Sequence, residues 1–477
     1  MTTAATDAPR TRPARVEPGG IEAIPAEHRH GSPWQLFATW TAPNLEFATV
    51  YVGVIAVLFF NLNFWTALAA LVVGNALGSL TQGILSTWGP REGLAQLVLS
   101  RTAFGTRGNI LPAGLNTVMA GLGWFATNSI SGAFALATLT GMPTWLGLLI
   151  VVVLEVALAF VGHDLVQVFE RYASYVLGIV FLIATIMIFT HAHLGFQPKP
   201  SGLGTFAGFT LTVSAAFGYA AGWNPYASDY TRYLPRTVSA RTAGWAAGLG
   251  DFISCTVLMA AGAAAVTIGH FNGNDPTGSF TASLSPVIKD LTLLAIAVGA
   301  IAANALNIYS GAMSFLAAGV KIPFALRRAI VALGFGVLGT LVALWALPDA
   351  GANYENFLLV IAYWIAPWLG TVFADRIIRR GTAIASFIPD NARYRNWAGF
   401  IGFVVGAVVS IWLFSNQTLY TGPVAKTGVG DLTPLVGFAI AFILTLVLFK
   451  PLGVRLGGPL ADEPDLVVGV DAADYEA

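Results

Sequence analysis

The sequence predicts an all-α polytopic membrane protein with twelve transmembrane helices. Of its 477 residues, 56% are hydrophobic and only 10% are charged, and the mean hydropathy is +0.71. Soluble domains contain about 25% charged residues, so the composition excludes an ordinary soluble fold. Apolar stretches of roughly the 20 residues needed to cross a bilayer recur along the chain. Proline interrupts two of these stretches, the first and the sixth.

The apolar stretches follow one another in order and define the predicted spans. They cover residues 34–60, 64–88, 109–140, 144–162, 166–190, 204–228, 240–269, 290–319, 326–347, 353–377, 396–415 and 433–450. We expect residues 33–380 to form a ten-span core and residues 381–452 to add two spans. Residues 1–32 are polar, without the apolar core of a signal peptide, and residues 453–477 form an acidic tail.

The distribution of basic residues predicts the orientation. An even number of spans places both ends of the chain on one side of the membrane. Of the 24 Lys and Arg residues, all but Lys199, Lys289 and Lys426 fall on that side. Because cytoplasmic loops are enriched in Lys and Arg, we expect a multi-pass protein of the cell membrane with both termini in the cytoplasm. Acidic residues also total 24, so the charge balance does not indicate a nucleic-acid partner. We expect a monomer or loose oligomer surrounded by membrane lipid.

The two interrupted spans are the strongest indication of function. Thr-Ala-Pro-Asn at 41–44 interrupts span 1, and Gly-Trp-Asn-Pro at 222–225 interrupts span 6. Proline removes a helix hydrogen bond, and in lipid the freed backbone is tolerated only inside protein or beside a wet cavity. Breaks five spans apart are typical of solute carriers built from two inverted repeats, whose substrate lies at the breaks. Ala42, Asn44 and Gly222 are therefore candidate substrate neighbours.

Span 3 presents an aromatic ring and an amide on one face. Trp124 and Asn128 are separated by four residues and so point the same way on a helix, beside the gap left by Gly121. A flat, neutral ring would stack on the indole and bond to the amide, which offers a donor and an acceptor. The alternative is a core tryptophan with an asparagine that joins helices. We favour binding.

Span 8 contains two asparagines in an apolar segment. Asn304 and Asn307 share a helix face, and a buried amide left unpaired costs about 1–3 kcal/mol. Their partners are each other, a neighbouring helix, or a substrate; we favour the substrate or a gate. Tyr219 or Trp223 of span 6 could supply a second aromatic surface.

Charged residues within or at the ends of spans are further candidates, because they are expensive in a membrane. Glu46 directly follows the first break and is the best placed of these for proton coupling; the alternative is that it only accepts hydrogen bonds from unwound backbone. Glu155 and Asp251 lie in spans 4 and 7. Asp229 and Arg232 end span 6, where we expect a capped helix end or an inner gate. The sequence contains no metal-ligand cluster, phosphate loop or nucleophile–base set, so we expect no enzyme, metal or cofactor.

The motif of span 6 resembles the nucleobase–cation symporter family, specifically its purine–cytosine permease branch. Gly-Trp at 222–223 is followed by Tyr-Ala-Ser-Asp-Tyr-Thr and Arg-Tyr-Leu-Pro over 226–235. Gly-Trp-Phe at 123–125, the asparagines of span 8, and Trp40 with Asn44 also match. The resemblance covers nearly all of residues 33–450.

The resemblance implies a LeuT-like fold, with spans 1–5 and 6–10 as inverted repeats and spans 11–12 appended. It implies that Trp124 stacks on the base, that Asn128 bonds to its edge, and that Asn304 contacts substrate with Asn307 one turn on. A span 6 aromatic that completes the stack in some relatives falls at Ala220 here. A backbone shift would let Tyr219 or Phe217 replace it.

The coupling ion is predicted from a departure from the family pattern. Sodium-coupled relatives have a pair of hydroxyl residues on span 8, where this chain has Ile301 and Ala302. A hard cation needs several oxygen ligands, so we favour a proton, with sodium as the alternative. The resulting hypothesis is an importer of a neutral nucleobase, cytosine or a purine, working by alternating access. The alternatives are a carrier of allantoin, hydantoin or a vitamin, and a membrane sensor that binds without transport.

Overall fold

The computed structural model describes residues 20–21, 23–161, 163–199, 202–320, 324–384, 387–388 and 393–458. Most of the predicted N-terminal tail, and the predicted acidic tail from residue 459 onward, lie outside these ranges. Apart from two isolated β-bridges, the regular structure of the described residues is helical.

Each predicted span coincides with a helix, or with a broken helix, of the described residues. Two are broken: α1, with parts Gln35–Thr41 and Phe47–Leu58, and α6, with parts Thr205–Ala221 and Ala227–Thr231. The others are α2 Phe64–Ser86, α3 Ile110–Thr140, α4 Thr144–Val161, α5 His163–His191, α7 Ala240–Val266, α8 Pro286–Ala317, α9 Phe324–Ala346, α10 Ala350–Ile378, α11 Trp397–Phe414 and α12 Thr433–Phe449. By length and hydropathy, seven described helices are able to cross a membrane, with α9 and α10 counted as one, or eight with the bent α1; the shorter α4 and α12 and the broken α6 are not in this count.

Both predicted breaks are present. In α1, Ala42–Asn44 forms a 3-10 turn, Glu46 is extended (φ −151°, ψ 171°), and the two parts of the helix meet at 60°. In α6, the helix stops at Ala221 and a 3-10 turn covers Asn224–Tyr226. Unwound backbone therefore lies inside the bundle at two places, as the prolines predict.

Helix α3 contains a break of another kind, which the sequence analysis did not predict. Residues Met119–Trp124 form a wide π-helical turn. Neighbouring aromatic rings press against this turn: a Cβ added at Gly121 would lie 2.5 Å from Phe335, and one at Gly123 would lie 2.1 Å from Phe357. Glycine is required at both positions for this packing. Such turns are frequent at functional sites, and this one ends at Trp124.

Close backbone contacts organise the helices into two groups. A Cβ at Gly53 of α1 would lie 1.7 Å from the carbonyl oxygen of Met259 in α7, and one at Gly262 would lie 1.9 Å from that of Val50. Helices α1, α2, α6 and α7 pack together in this way, as do α3, α4, α8 and α9, while α12 packs on α10 and α11. The two breaks and the middle of α3 and α8 meet between the two groups.

Candidate functional site

Aromatic rings from α3 and α6 form one wall of the site. The rings of Trp124 and Trp223 are nearly parallel, with centroids 6.4 Å apart and an interplanar angle of 6°. Tyr219 meets Trp124 edge-on, at 5.3 Å and 87°. A Cβ at Gly222 would lie 3.0 Å from Cζ2 of Trp124, so glycine leaves room for the indole here. Trp223, and not Tyr219, has a ring plane that matches that of Trp124.

The three predicted asparagines come together one turn along α3 from Trp124. Oδ1 of Asn304 accepts hydrogen bonds from Nδ2 of Asn128 at 3.0 Å and from Nδ2 of Asn307 at 3.3 Å. Nδ2 of Asn304 donates to the carbonyl oxygen of Phe125 at 3.0 Å. All three amides are buried. Asn304 is thus the centre of a network that joins α3 to α8.

Ser129 extends the network to a buried carboxylate, a link that the sequence analysis missed. Ser129 Oγ accepts from Nδ2 of Asn304 at 3.2 Å and donates to Oε2 of Glu155 at 2.6 Å. Ser129 is five residues after Trp124, and a serine in an apolar helix gives no distinctive signal. Its place directly after Asn128 would have been the only indication.

Several acceptor atoms of this network have no hydrogen-bond partner among the described residues. They are Oδ1 of Asn128, Oδ1 of Asn307 and Oε1 of Glu155. A buried acceptor without a donor costs free energy, so this cluster is suited to a guest that brings N–H groups.

We expect the Asn304 amide to hold the cluster together. In the variant Asn304→Ala, the amides of Asn128 and Asn307 lose their common acceptor, and each unpaired buried group costs about 1–3 kcal/mol. Thermal unfolding of the purified protein should show a lower midpoint than the wild type. Asn356→Ala, which removes an amide near the surface of α10, is the control and should change the midpoint little. Equal midpoints for Asn304→Ala and the wild type would contradict the assignment.

A second carboxylate lies at the break of α1. Oε1 of Glu46 accepts from the hydroxyl of Tyr219 at 3.1 Å, and Oε2 has no hydrogen-bond partner among the described residues. The Tyr219 hydroxyl also contacts that of Thr49. Tyr219 therefore directs its polar end toward the break of α1. Glu46 is buried and stands between α1, α6 and α8, because a Cβ at Gly299 of α8 would lie 3.2 Å from its Cβ.

Asn44 connects the two breaks. Its Oδ1 accepts from Nε1 of Trp223 at 2.9 Å. Its Nδ2 donates to the carbonyl oxygen of Trp40 at 2.9 Å, to Ser254 at 3.0 Å and to Oδ1 of Asp251 at 3.2 Å. Asn44 thus uses both ends of its amide within the protein. Ala42, its neighbour in the 3-10 turn, is buried.

A cavity of about 130 Å³ lies on one side of the aromatic wall. Its lining comes from α1, α3, the segment between α7 and α8, the end of α9 and the start of α10. Phe357 separates it from Trp124, which it meets edge-on with centroids 5.1 Å apart. Beside it, the hydroxyl of Tyr354 donates to the carbonyl oxygen of Ala48 at 3.0 Å and joins α10 to α1. These two aromatics close the site toward the cavity.

The predicted gate residues lie at the far end of α6. Oδ1 of Asp229 accepts from the backbone N–H of Gln96 at 2.9 Å. Arg232 donates to the carbonyl oxygen of Gly20 at 3.0 Å and to the hydroxyl of Tyr309 at 3.2 Å. Both side chains are buried and tie α6 to the loop after α2, to α8 and to residue 20. The site is closed on this side too.

The described residues contain no group of three His, Cys, Asp or Glu side chains able to hold a metal ion. The site is built instead from aromatic faces, amides and isolated carboxyls. Such an arrangement is suited to a flat, uncharged, hydrogen-bonding molecule.

Comparison with known sequences identifies relatives over most of the chain. Residues 23–437 match a family described as permeases for cytosine/purines, uracil, thiamine and allantoin. The chain is 31% identical over 455 residues to YxlA of Bacillus subtilis, assigned as a purine-cytosine permease, covering 92% of this chain and 96% of YxlA. It is 30% identical over 474 residues to the purine-cytosine permease fcyB of Emericella nidulans, covering 93% and 90% of the two chains.

Comparison with solved structures identifies the fold. The structure is similar to that of Mhp1, a nucleobase-cation-symport-1 family transporter, in a closed conformation with bromovinylhydantoin bound. The TM-score is 0.71 at 18% sequence identity, over 91% of this chain and 95% of Mhp1. The LeuT-like architecture expected from the sequence is therefore confirmed.

Proposed function

This chain belongs to the family of permeases for cytosine/purines, uracil, thiamine and allantoin, and we propose that it imports a neutral nucleobase, cytosine or a purine, together with a proton. Its relatives are transporters and not enzymes. The base would occupy the space between the aromatic wall and the amide cluster, and would reach it by alternating access from either side of the membrane.

The observation that carries the proposal is the pairing of an aromatic face with unpaired acceptors. Trp124 offers an indole face, and Oδ1 of Asn128, one turn along the same helix, has no partner among the described residues. Oδ1 of Asn307 is a second such acceptor. A nucleobase stacks through its ring and presents N–H groups at its edge, which match these acceptors.

Coupling to a proton, and not to sodium, is favoured by the side chains that face the break of α1. A Cβ at Gly299 of α8 would lie 2.5 Å from the carbonyl oxygen of Leu45, so α8 lies directly against the unwound turn. From residue 293 to residue 308, α8 carries no hydroxyl side chain. A sodium ion would need several oxygen ligands there. The buried carboxyl of Glu46, with one oxygen unpaired among the described residues, is instead suited to take up and release a proton.

The test combines binding with transport. In a thermal-shift screen of the purified protein against nucleobases and related heterocycles, we expect a nucleobase at 100 times its Kd to stabilise the protein by about 2.7 kcal/mol. In sealed vesicles, uptake of that nucleobase should rise when the outside is made acidic and should ignore an imposed sodium gradient. Uptake that follows sodium and ignores pH would overturn the proton assignment.

A carrier of another flat heterocycle, such as allantoin, a hydantoin or a vitamin, is the second candidate. It is favoured by the fold relative Mhp1, whose structure contains a bound hydantoin. The same screen separates the two, because a hydantoin or allantoin that stabilises the protein more than any nucleobase would replace the first proposal. A ligand that binds without accumulating in vesicles would indicate a sensor.

A further inference from the structure

Asp251 of α7 is buried away from the aromatic wall, and its hydrogen-bonding partners in the structure are neutral groups. Oδ2 accepts from the hydroxyl of Ser79 in α2 at 2.7 Å. Oδ1 accepts from Nδ2 of Asn44 at 3.2 Å and from Sγ of Cys255 at 3.4 Å. The carboxyl thus joins α2 and α7 to the break of α1.

The chemistry of these groups gives the chain of hydrogen bonds a direction. Oδ1 of Asp251 is an acceptor and draws the NH₂ end of the Asn44 amide toward α7. The carbonyl end of that amide must then point the other way, toward α6. There it meets Nε1 of Trp223 at 2.9 Å, an atom that can only donate. Each link requires the orientation set by the one before it.

We propose that Asp251 is a positioning residue for the substrate site, acting through Asn44 on Trp223. It fixes the Asn44 amide, which holds the Trp223 indole nearly parallel to Trp124. The proposal rests on the proposed function, because it deepens the role of the same aromatic wall. It also explains why a carboxyl that touches no part of that wall is kept inside the bundle.

Two substitutions of Asp251 distinguish the role of its hydrogen-bond acceptor from the role of its charge. In Asp251→Asn, the side-chain oxygen can still face Asn44 while the new NH₂ group donates to the hydroxyl of Ser79. In Asp251→Leu, the side chain keeps the same branching at Cγ and is larger, and the acceptor is lost. The NH₂ group of Asn44 then keeps only the Trp40 carbonyl and Ser254 as acceptors, and Oδ1 keeps the bond from the indole of Trp223.

The first experiment measures nucleobase affinity in a double-mutant cycle. We expect Asp251→Leu to weaken binding about tenfold, the order expected for a lost hydrogen bond, and Asp251→Asn to bind within about twofold of the wild type. Ser79→Ala removes a bond to the same carboxyl on the side away from Asn44, and should leave affinity unchanged. In a Trp223→Phe background, which lacks the indole N–H, Asp251→Leu should have little further effect.

The second experiment does not depend on any ligand. The indole N–H resonance of Trp223, assigned by its loss in Trp223→Phe, should shift in ¹⁵N-labelled Asp251→Leu and stay in place in Asp251→Asn and Ser79→Ala. Asp251→Ala, which adds no bulk, replaces Asp251→Leu if the leucine variant does not fold. The proposal is overturned if the resonance does not move, or if Asp251→Leu costs the same affinity with and without the indole. If no nucleobase binds the wild type, the proposed function fails, while the resonance still decides the role of Asp251.

Discussion

Replacing Trp124 with alanine is expected to weaken nucleobase binding by about 5- to 150-fold, the range that corresponds to 1–3 kcal/mol of stacking per base. The indole of Trp124 contacts the rings of Trp223, Tyr219 and Phe357, and under the proposed function one of its faces meets the base. Binding measured by isothermal titration and uptake measured in vesicles should both fall. Trp124→Phe keeps a ring face, and its nucleobase affinity should lie between that of Trp124→Ala and that of the wild type.

The alanine variant needs a control for folding, because Trp124 is only 4% exposed and truncating a buried tryptophan costs about 3–5 kcal/mol. Trp65→Ala removes an indole that is 60% exposed on the surface of α2, and should bind like the wild type. The variants are compared only in preparations that elute as one species and unfold cooperatively. If such a preparation of Trp124→Ala binds the nucleobase with wild-type affinity, the Trp124 indole is not part of the binding site.

The second large effect is expected from Glu46→Gln. Glutamine has the same shape and can still accept the hydrogen bond from Tyr219, but it cannot release a proton. We expect nucleobase binding to survive within a few-fold, while uptake loses its response to an inward proton gradient. Uptake is measured in vesicles with the outside at lower pH, against vesicles with equal pH on both sides.

Glu155→Gln is the matched comparison for this measurement. Glu155 is also buried, but it bonds to Ser129 of α3 and does not touch the break of α1. It should keep the response to the proton gradient and change mainly the affinity, since it supports the amide cluster. If Glu155→Gln loses the response to the proton gradient and Glu46→Gln keeps it, the proton site is Glu155 of α4 and not Glu46 of α1.

The elements that the sequence predicted are those fixed by the membrane itself. A segment that crosses lipid must be long, apolar and helical, so the apolar stretches along the sequence located the spans. The prolines in Thr-Ala-Pro-Asn and Gly-Trp-Asn-Pro located the turns at Ala42–Asn44 and Asn224–Tyr226, whereas Pro367 lies within the continuous helix α10. The four-residue spacing of Trp124 and Asn128 places them on one helix face in any α-helical structure.

The features that could not be predicted from the sequence depend on contacts between helices. The π-helical turn at Met119–Trp124 lies where two aromatic rings of neighbouring helices pack on glycines, and no local sequence pattern encodes those contacts. The link from Asn304 through Ser129 to Glu155 requires the relative positions of α3, α4 and α8. For the same reason the sequence named Tyr219, Trp223 and Phe217 without showing which one completes the aromatic site. Only the packed structure shows that Trp223 lies parallel to Trp124 and that Tyr219 bonds to Glu46.

The most direct test of the account is to locate the bound guest by the anomalous scattering of bromine. Crystals of the full chain would be soaked with 5-bromocytosine or a bromopurine, whichever raises the melting temperature of the protein. We predict a bromine peak within van der Waals reach of the Trp124 and Asn128 side chains, between the two broken helices. A peak elsewhere in the bundle, with no density for the ring beside Trp124, would contradict the site on which the whole account depends.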